Sequence, residues 1–282
     1  MSYYFVKMGI NSRSSGGSSL RRSAYIRADK ARDYITEETY NFLHKADELV
    51  HTEVMLPENA APVFSDPVHL WTEVEKKENR INSQLCRTFE ISIPNEIPPE
   101  LRKEFARELL QPFVDLDLPV EFAIHNEQAI FQDCENPHIS ASVALRQLGS
   151  DGWAKGKERS LNKVMRDDPH KKLWVPAMNA FFEKHGIEAH VQHLNHGMPV
   201  ASAAVRRQAK RWKKSGADPE RIPAAVRKFI EAREARYAAM EKDFELQKEI
   251  EALTTEIETL KKEIKNEPEK AKPANKTEAK RG

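Results

Sequence analysis

His125 and His138 stand thirteen residues apart, each beside a strand-like run, Ala123-Ile124-His125 and Asn136-Pro137-His138. Alternation in the two runs puts both imidazoles on one face of what read as neighbouring strands. Nitrogen donors on rigid sheet positions are what a divalent metal requires, and imidazole is a good ligand for Mn, Zn, Co or Ni. Glu90, on a third run of the same kind, could bind such a metal directly or orient an imidazole. A lone strand histidine is more often structural than ligating. Two on one face with a carboxylate nearby shift that balance. A metal held there would polarise a phosphoryl oxygen and offset charge in a transition state.

The candidate nucleophile is Tyr25. A phenol with a pKa near ~10 attacks poorly until a metal or nearby cations stabilise the phenolate. Ser18 and Ser19 are placed to cap a helix carrying Arg21, Arg22, Tyr25 and Arg32. Tyr25 lies four residues after Arg21 and three after Arg22, so the three share a helical surface. Tyr3, Tyr4, Tyr34 and Tyr40 compete for the role but lack arginines on both flanking turns. Residues 1–35 hold seven Lys or Arg against Asp29 and Asp33, a local excess of +5. Arg13, Arg21 and Arg22, joined by Arg146 after the second histidine run, are candidate DNA contacts. The basic clustering and the metal-type histidines together suggest phosphodiester chemistry on a nucleic acid.

The elements that must position these groups follow from periodicity. Residues 3–10 read as a first strand and 11–19 as a Ser/Gly/Arg loop. A short strand covers about 53–56, and a helix about 67–84 buries Leu70, Trp71 and Val74. In TFEISIP, Phe89, Ile91 and Ile93 face one way and Thr88, Glu90 and Ser92 the other. Pro98-Pro99 opens a helix with Leu101, Phe105, Leu109 and Phe113 at a spacing of four. The next two strands set Phe122, Ile124, Ile139, Ala141 and Val143 against Glu121, Ala123, His125, His138, Ser140 and Ser142. Each strand thus has an apolar face for helices and a polar face open to a ligand. That is an α+β fold with a mostly antiparallel sheet and helices packed on one face. Gly149 to Gly152 make a turn, 154–170 an exposed basic loop, about 171–185 a helix ending at Gly186, and IEAHVQHL a last strand-like segment. Pro199 closes this domain of residues 1–200.

A basic helical segment follows at 201–235, with six cations and no anion in VRRQAKRWKK. Residues 236–266 read as a coiled coil. Leu246, Ile250, Leu253, Ile257, Leu260 and Ile264 alternate spacings of four and three. Ile at one core position and Leu at the other favours a parallel pair, so 246–264 could join two copies. An amphipathic helix folding back on the domain is the alternative. Residues 267–282 are Lys, Glu, Pro and Ala and should be disordered.

Across 282 residues the net charge is only +1, with 32 % charged and 39 % hydrophobic residues, which suits one sizeable domain plus an extension. Cys86 and Cys134 are too few for a disulfide framework or a cysteine zinc site. No apolar run approaches a membrane span and no signal peptide begins the chain, so a cytoplasmic location is the expectation.

Residues 1–200 resemble the MobA/MobL relaxases of plasmid mobilisation and conjugation. The resemblance rests on SRSSGGSS…SAY, HTEVMLP, LWTEVEKKENRINSQLCRTFEISIP, AIH at 123–125, NPHISASVALRQLGSDGW and VQHLNHG. It implies an HUH-like fold that nicks and religates single-stranded DNA at a transfer origin by tyrosine transesterification. Carried over, Tyr25 is the nucleophile, which keeps the 5′ phosphate until the free 3′ hydroxyl reverses the step. His125 and His138 ligate a divalent metal, Mn or Mg, and Glu90 is the supporting acid. One position departs from the family pattern NPH-x-H: Ser140 stands where a third histidine ligand is expected. A hydroxyl is a weaker ligand than imidazole. Water or Glu90 could complete the shell, Gln128 or Asp133 could move in, or the chain is an accessory DNA-binding protein that no longer cuts.

Overall fold

The computed structural model describes residues 4–33, 36–128, 135–167, 170–191, 201–216 and 218–266. Tyr3, Tyr34, Asp133, Pro199 and the tail at 267–282 lie outside them, as does the Gln128 side chain. The strands are β1 (Val6–Ser12), β2 (Lys30–Arg32), β3 (Thr39–Asn41), β4 (Leu49–Met55), β5 (Gln84–Ser92), β6 (Val120–Gln128), β7 (Glu135–Ala144), β8 (Leu148–Gly149) and β9 (Gly152–Trp153). The α-helices are α1 (Ser19–Ile26), α2 (Pro67–Lys77), α3 (Arg102–Val114), α4 (Leu161–Asp167), α5 (Val175–Lys184), α6 (Ala203–Lys214) and α7 (Ala224–Asn266).

Five strands pair in the order β1-β5-β7-β6-β4, each antiparallel to its neighbours. The α+β reading therefore holds. The expected apolar face is the main core: Phe89, Ile91, Phe122, Ile124, Ile139 and Val143 pack with Phe105, Leu109 and Phe113 of α3 and Met178, Phe181 and Phe182 of α5. Period-two alternation on the strands and a four-residue apolar spacing on α3 meet there.

The opposite face differs from the expectation of an open surface. Glu121, His125, Ser140 and Ser142 are all at most 2 % exposed. Helices α1 and α2 cover part of this face, and Leu20, Leu70, Trp71, Val74 and Cys86 form a second small core beneath them. Buried polar groups are mostly paired, and Glu121 and His125, together with Glu75 of α2, hold α1 at three points. At its start, the Ser19 amide and hydroxyl both donate to Glu75 Oε1, at 2.6 and 2.7 Å, and Arg13 pairs with the same carboxylate at 2.5 Å. A carboxylate at a helix start also suits the positive end of the helix dipole. At its middle, Ser23 Oγ donates to Glu121 at 2.8 Å, where Trp71 Nε1 donates at 2.6 Å and Arg27 Nε pairs at 3.2 Å. At its end, the Ile26 carbonyl accepts from His125 Nε2 at 2.7 Å. The loop feeding α1 needs glycine: a Cβ on Gly17 would lie 1.8 Å from Asn11 Oδ1 and 2.6 Å from the Ser12 carbonyl.

Several element boundaries depart from the pattern reading. Ser18 does cap α1, accepting from the Arg21 amide at 3.2 Å. The helix stops at Ile26 because Ala28 turns into the left-handed region, φ 50°, which places Arg32 on β2 instead. Strand β4 starts at Leu49 rather than near 53. Helix α2 ends at Lys77, short of 84, and the next residue, Glu78, turns its buried carboxylate to Arg146 and Lys157 at 2.6 and 3.1 Å. The expected loop at 154–170 contains α4. No strand forms over 187–191; Asn179 pairs with both the amide and carbonyl of Val191, doing the work of a strand neighbour.

By compactness the chain divides into Met1–Glu231 and Ala232–Gly282. Helix α6 is capped by Ser202 and carries Arg206, Arg207, Lys210, Arg211 and Lys214 exposed. Along α7, Leu246, Ile250, Leu253, Ile257 and Leu260 are each 49–62 % exposed. Among the described residues no helix is long and apolar enough to cross a membrane.

Glu121→Leu strips the acceptor from Ser23 and Trp71 and leaves Arg27 with Asp29 as its remaining carboxylate. The expected cost is about 3–5 kcal/mol, measured as a lower urea midpoint. A loss below about 1 kcal/mol would show that α1 is held by its apolar contacts alone.

Candidate metal and nucleophile site

Register brings the predicted strand residues together. Across β6 and β7, His125 sits opposite His138 and Ala123 opposite Ser140; across β5 and β7, Ser92 sits opposite His138 and Glu90 opposite Ser140. Two cross-strand rows result, Ser92–His138–His125 and Glu90–Ser140–Ala123. The imidazole rings lie 5.4 Å apart, centroid to centroid, with planes 17° from parallel.

Each imidazole is oriented by a backbone carbonyl. A carbonyl only accepts, so His125 carries its proton on Nε2, toward Ile26, and His138 carries its proton on Nδ1, toward the Asn136 carbonyl at 3.1 Å. The second nitrogen of each ring then keeps a free lone pair. On His125 that nitrogen, Nδ1, is buried and has no hydrogen-bond partner. Burial first, the neighbouring His138 ring second and Lys45 third push the His125 pKa down to about 4, so the ring is neutral near pH 7.

The second row is a relay of a different kind. Ser140 Oγ donates to Glu90 Oε2 at 2.6 Å, and Arg22 Nη2 pairs with Glu90 Oε1 at 2.6 Å. Where the family pattern has a third imidazole, this chain has a hydroxyl whose proton is directed at a carboxylate, and that carboxylate is in turn held by an arginine.

Tyr25 immediately precedes Ile26, whose carbonyl holds His125. Its ring is 37 % exposed and meets Phe42 edge-on at 5.3 Å. Two cations face it: Lys45 Nζ lies 4.3 Å from the ring centroid and Arg22 Cζ 5.7 Å. Arg21 is exposed on the same helix, 5.9 Å from the Tyr40 ring. The structure does not gather the remaining candidate cations here. Arg13 is tied to Glu75 and to the Glu78 carbonyl at 2.8 Å, and Arg146 to Glu78 and to the Lys155 carbonyl. Both join loops to the α2 end.

Pattern reading missed Lys45, Phe42, Glu121 and Trp71. Lys45 and Phe42 belong to an irregular stretch with no periodicity to read. Glu121 had the one available signal, a carboxylate in the apolar first half of its strand.

A fit for a metal can be judged from the donors. Two neutral imidazoles, each with one nitrogen on a carbonyl and the other free, match the way proteins present histidine to a metal. The Ser140 oxygen is a weak third donor. Among the described residues no His, Cys, Asp or Glu completes a three-donor cluster with His125 and His138 inside 4.8 Å. The pair therefore suits a divalent metal held less tightly than by three imidazoles.

Comparison with known proteins places this geometry. A sequence model described as the MobA/MobL family matches residues 17–215. The chain is 30 % identical over 138 residues to the "43 kDa relaxation protein" of Salmonella typhimurium, covering 49 % of this chain and 36 % of that protein. It is 23 % identical to the "Mobilization protein MobL" of Acidithiobacillus ferridurans, covering 70 % of this chain and 58 % of that one. It is also 23 % identical to the "Conjugal transfer protein TraA" of Agrobacterium fabrum, covering 75 % of this chain but 20 % of TraA. The chain thus spans less than two thirds of each of these relatives. A solved structure described as "Molecular Basis of Vancomycin Resistance Transfer in Staphylococcus aureus" superposes with a TM-score of 0.59. Its sequence is 28 % identical, and the match covers 67 % of this chain and 97 % of that one.

The depressed His125 pKa has a sign that can be tested in metal-free buffer. The unfolded ring protonates near ~6.5, while the folded ring resists down to about 4. Its contribution to stability is complete above the unfolded value and is lost as pH falls through that window, at up to about 1.4 kcal/mol per pH unit. His125→Asn should flatten that slope in urea unfolding between those limits. An unchanged slope would place the proton elsewhere.

Proposed function

The chain belongs to the MobA/MobL family, and from that premise we propose that it is a relaxase: it nicks and religates single-stranded DNA at a transfer origin through Tyr25. The observation that carries this reading is the bond from His125 to the Ile26 carbonyl. It fastens the residue next to the phenol onto the imidazole pair. Exposed cations on α1 and α6 favour a polyanionic partner.

In the reaction, the Tyr25 phenol gives up its proton to solvent and its oxygen attacks phosphorus. A Tyr–O–P bond forms as the P–O3′ bond breaks. The departing 3′ oxygen takes a proton, and the 5′ phosphate stays on Tyr25. Attack by the 3′ hydroxyl reverses the sequence. His125 and His138 would hold a divalent metal, which when bound supplies Lewis-acid polarisation of the phosphoryl group. Glu90 acts at one remove: with Arg22 and Ser140 it fixes the floor of the site. Phe42 holds the phenol ring edge-on, limiting its swing and the entropy lost on reaching the reactive pose.

The exposed stripe on α7 supports pairing with a second copy. Ile250 and Ile257 occupy one core position and Leu246, Leu253 and Leu260 the other, the combination favoured in parallel pairs. Glu256 and Lys261 fall at the flanking positions that bridge such helices.

Two measurements decide these points. Single-stranded oligonucleotides tiling the parent replicon, incubated with Mn²⁺, should yield a covalent protein–DNA band on a denaturing gel, and Tyr25→Phe should abolish it. A band of wild-type intensity from Tyr25→Phe would remove Tyr25 from the role. In sedimentation at micromolar concentration the full chain should run as a dimer and Leu253→Asp as a monomer. A monomeric wild type would contradict the pairing.

A further inference from the structure

We propose that Lys45 is the cation that meets the scissile phosphodiester beside Tyr25, an assignment that rests on the relaxase reading. Lys45 lies in a 3-10 turn, Leu43–Glu48, that runs directly into β4. The first residue of β4, Leu49, pairs with His125. The turn is therefore tied to the sheet next to the imidazole pair, and it closes over the nucleophile, with Phe42 at the ring edge and Lys45 Nζ 4.3 Å from its centroid. The Lys45 amide donates to the Phe42 carbonyl at 3.0 Å, which couples the two contacts.

Of the other cations around Tyr25, Arg21 is exposed and faces the Tyr40 ring at 5.9 Å, while Arg22 and Arg27 are already committed. Arg22 is bound to Glu90 at 2.6 Å, and Arg27 to Asp29 at 2.8 Å and Glu121 at 3.2 Å. Among the described residues Lys45 has a single, long ion pair, to Glu48 at 3.6 Å. Its side chain is 18 % exposed. A charge so withdrawn from water acts more strongly on a neighbouring anion than one on the open surface. A compact ammonium suits a single phosphoryl oxygen. The need for it follows from Ser140: a site with two imidazoles and a hydroxyl holds a metal less firmly, and a fixed protein cation offsets part of the charge that the attack develops. As the Tyr–O–P bond forms and the P–O3′ bond breaks, negative charge gathers on the non-bridging oxygens and on the phenolic oxygen. Lys45 can donate to one of these oxygens and offset part of that charge.

The test uses the full chain carrying Lys45→Met, which keeps the length and loses the charge, and Lys45→Arg, which keeps the charge. With the oligonucleotides that form the covalent band, Lys45→Met should slow adduct formation about 10²-fold with an unchanged thermal midpoint, and Lys45→Arg should recover most of the rate. Equal rates for wild type and Lys45→Met would overturn the assignment. A second readout needs no DNA. Millimolar inorganic phosphate should shift the Tyr25 ring resonances in wild type and leave them unmoved in Lys45→Met. Equal shifts in both would overturn the assignment even if no oligonucleotide forms an adduct, a result that would count against the relaxase reading alone.

Discussion

Everything at the site depends on where one eight-residue helix rests. A helix as short as α1 is not stable by itself, and its apolar contacts alone could be met at several rotations. Buried polar groups remove that freedom. Glu75 accepts from the first turn, Glu121 from the middle, and the last carbonyl accepts from His125. The partners come from two elements, Glu75 from α2 and Glu121 and His125 from β6. Sliding or rotating α1 would leave at least one carboxylate or imidazole buried without a partner, a penalty of about 1–3 kcal/mol for a neutral group and more for a charged one. Tyr25, between Ser23 and Ile26, inherits that placement.

The same logic accounts for how the chain accommodates Ser140. A serine in place of a third imidazole opens room and removes a base. Glu90 accepts a hydrogen bond from the hydroxyl through one carboxylate oxygen and pairs with Arg22 through the other. The position is thus satisfied from within the protein, and α1 gains a link to β5 through Arg22. On the proposed relaxase reading the cost is affinity for a metal, since the donors that remain would be two imidazoles and a weak oxygen. A cation on the turn before β4 is the natural complement, because charge developed on a phosphate can be met by a fixed ammonium as well as by an ion.

The sheet and its two faces were legible in the sequence because alternation is a direct consequence of strand geometry. Phe89, Ile91, Phe122 and Ile124 could go nowhere but the core, and the polar set had to share the other side. His125 and His138 on one face, and Tyr25 on a capped helix between arginines, were legible for the same reason. The cover over the polar face was not. Nothing in α1 or α2 announces that Ser23 and Trp71 share a carboxylate on β6, since such a network depends on tertiary contact across 50 to 98 residues. The end of α1 depended on Ala28 adopting a positive φ, which alanine does only under tertiary constraint. Arg13 and Arg146 read as surface cations by type but are drawn inward by Glu75 and Glu78. Lys45 lies in a turn, where residue type carries almost no positional information.

Strand transfer by Tyr25 with a metal on His125 and His138 requires the phenol to lie beside the free nitrogens of the two rings. Mn²⁺ is paramagnetic and broadens only nearby nuclei, so a titration of the full chain followed by tyrosine-ring resonances measures that proximity directly. The expected result is selective broadening of Tyr25 at low Mn²⁺, lost when His125 and His138 are both replaced by alanine. If Tyr25 stays sharp while signals around Glu104, Glu108 and His185 broaden, the ion binds at that separate carboxylate cluster and the account is wrong.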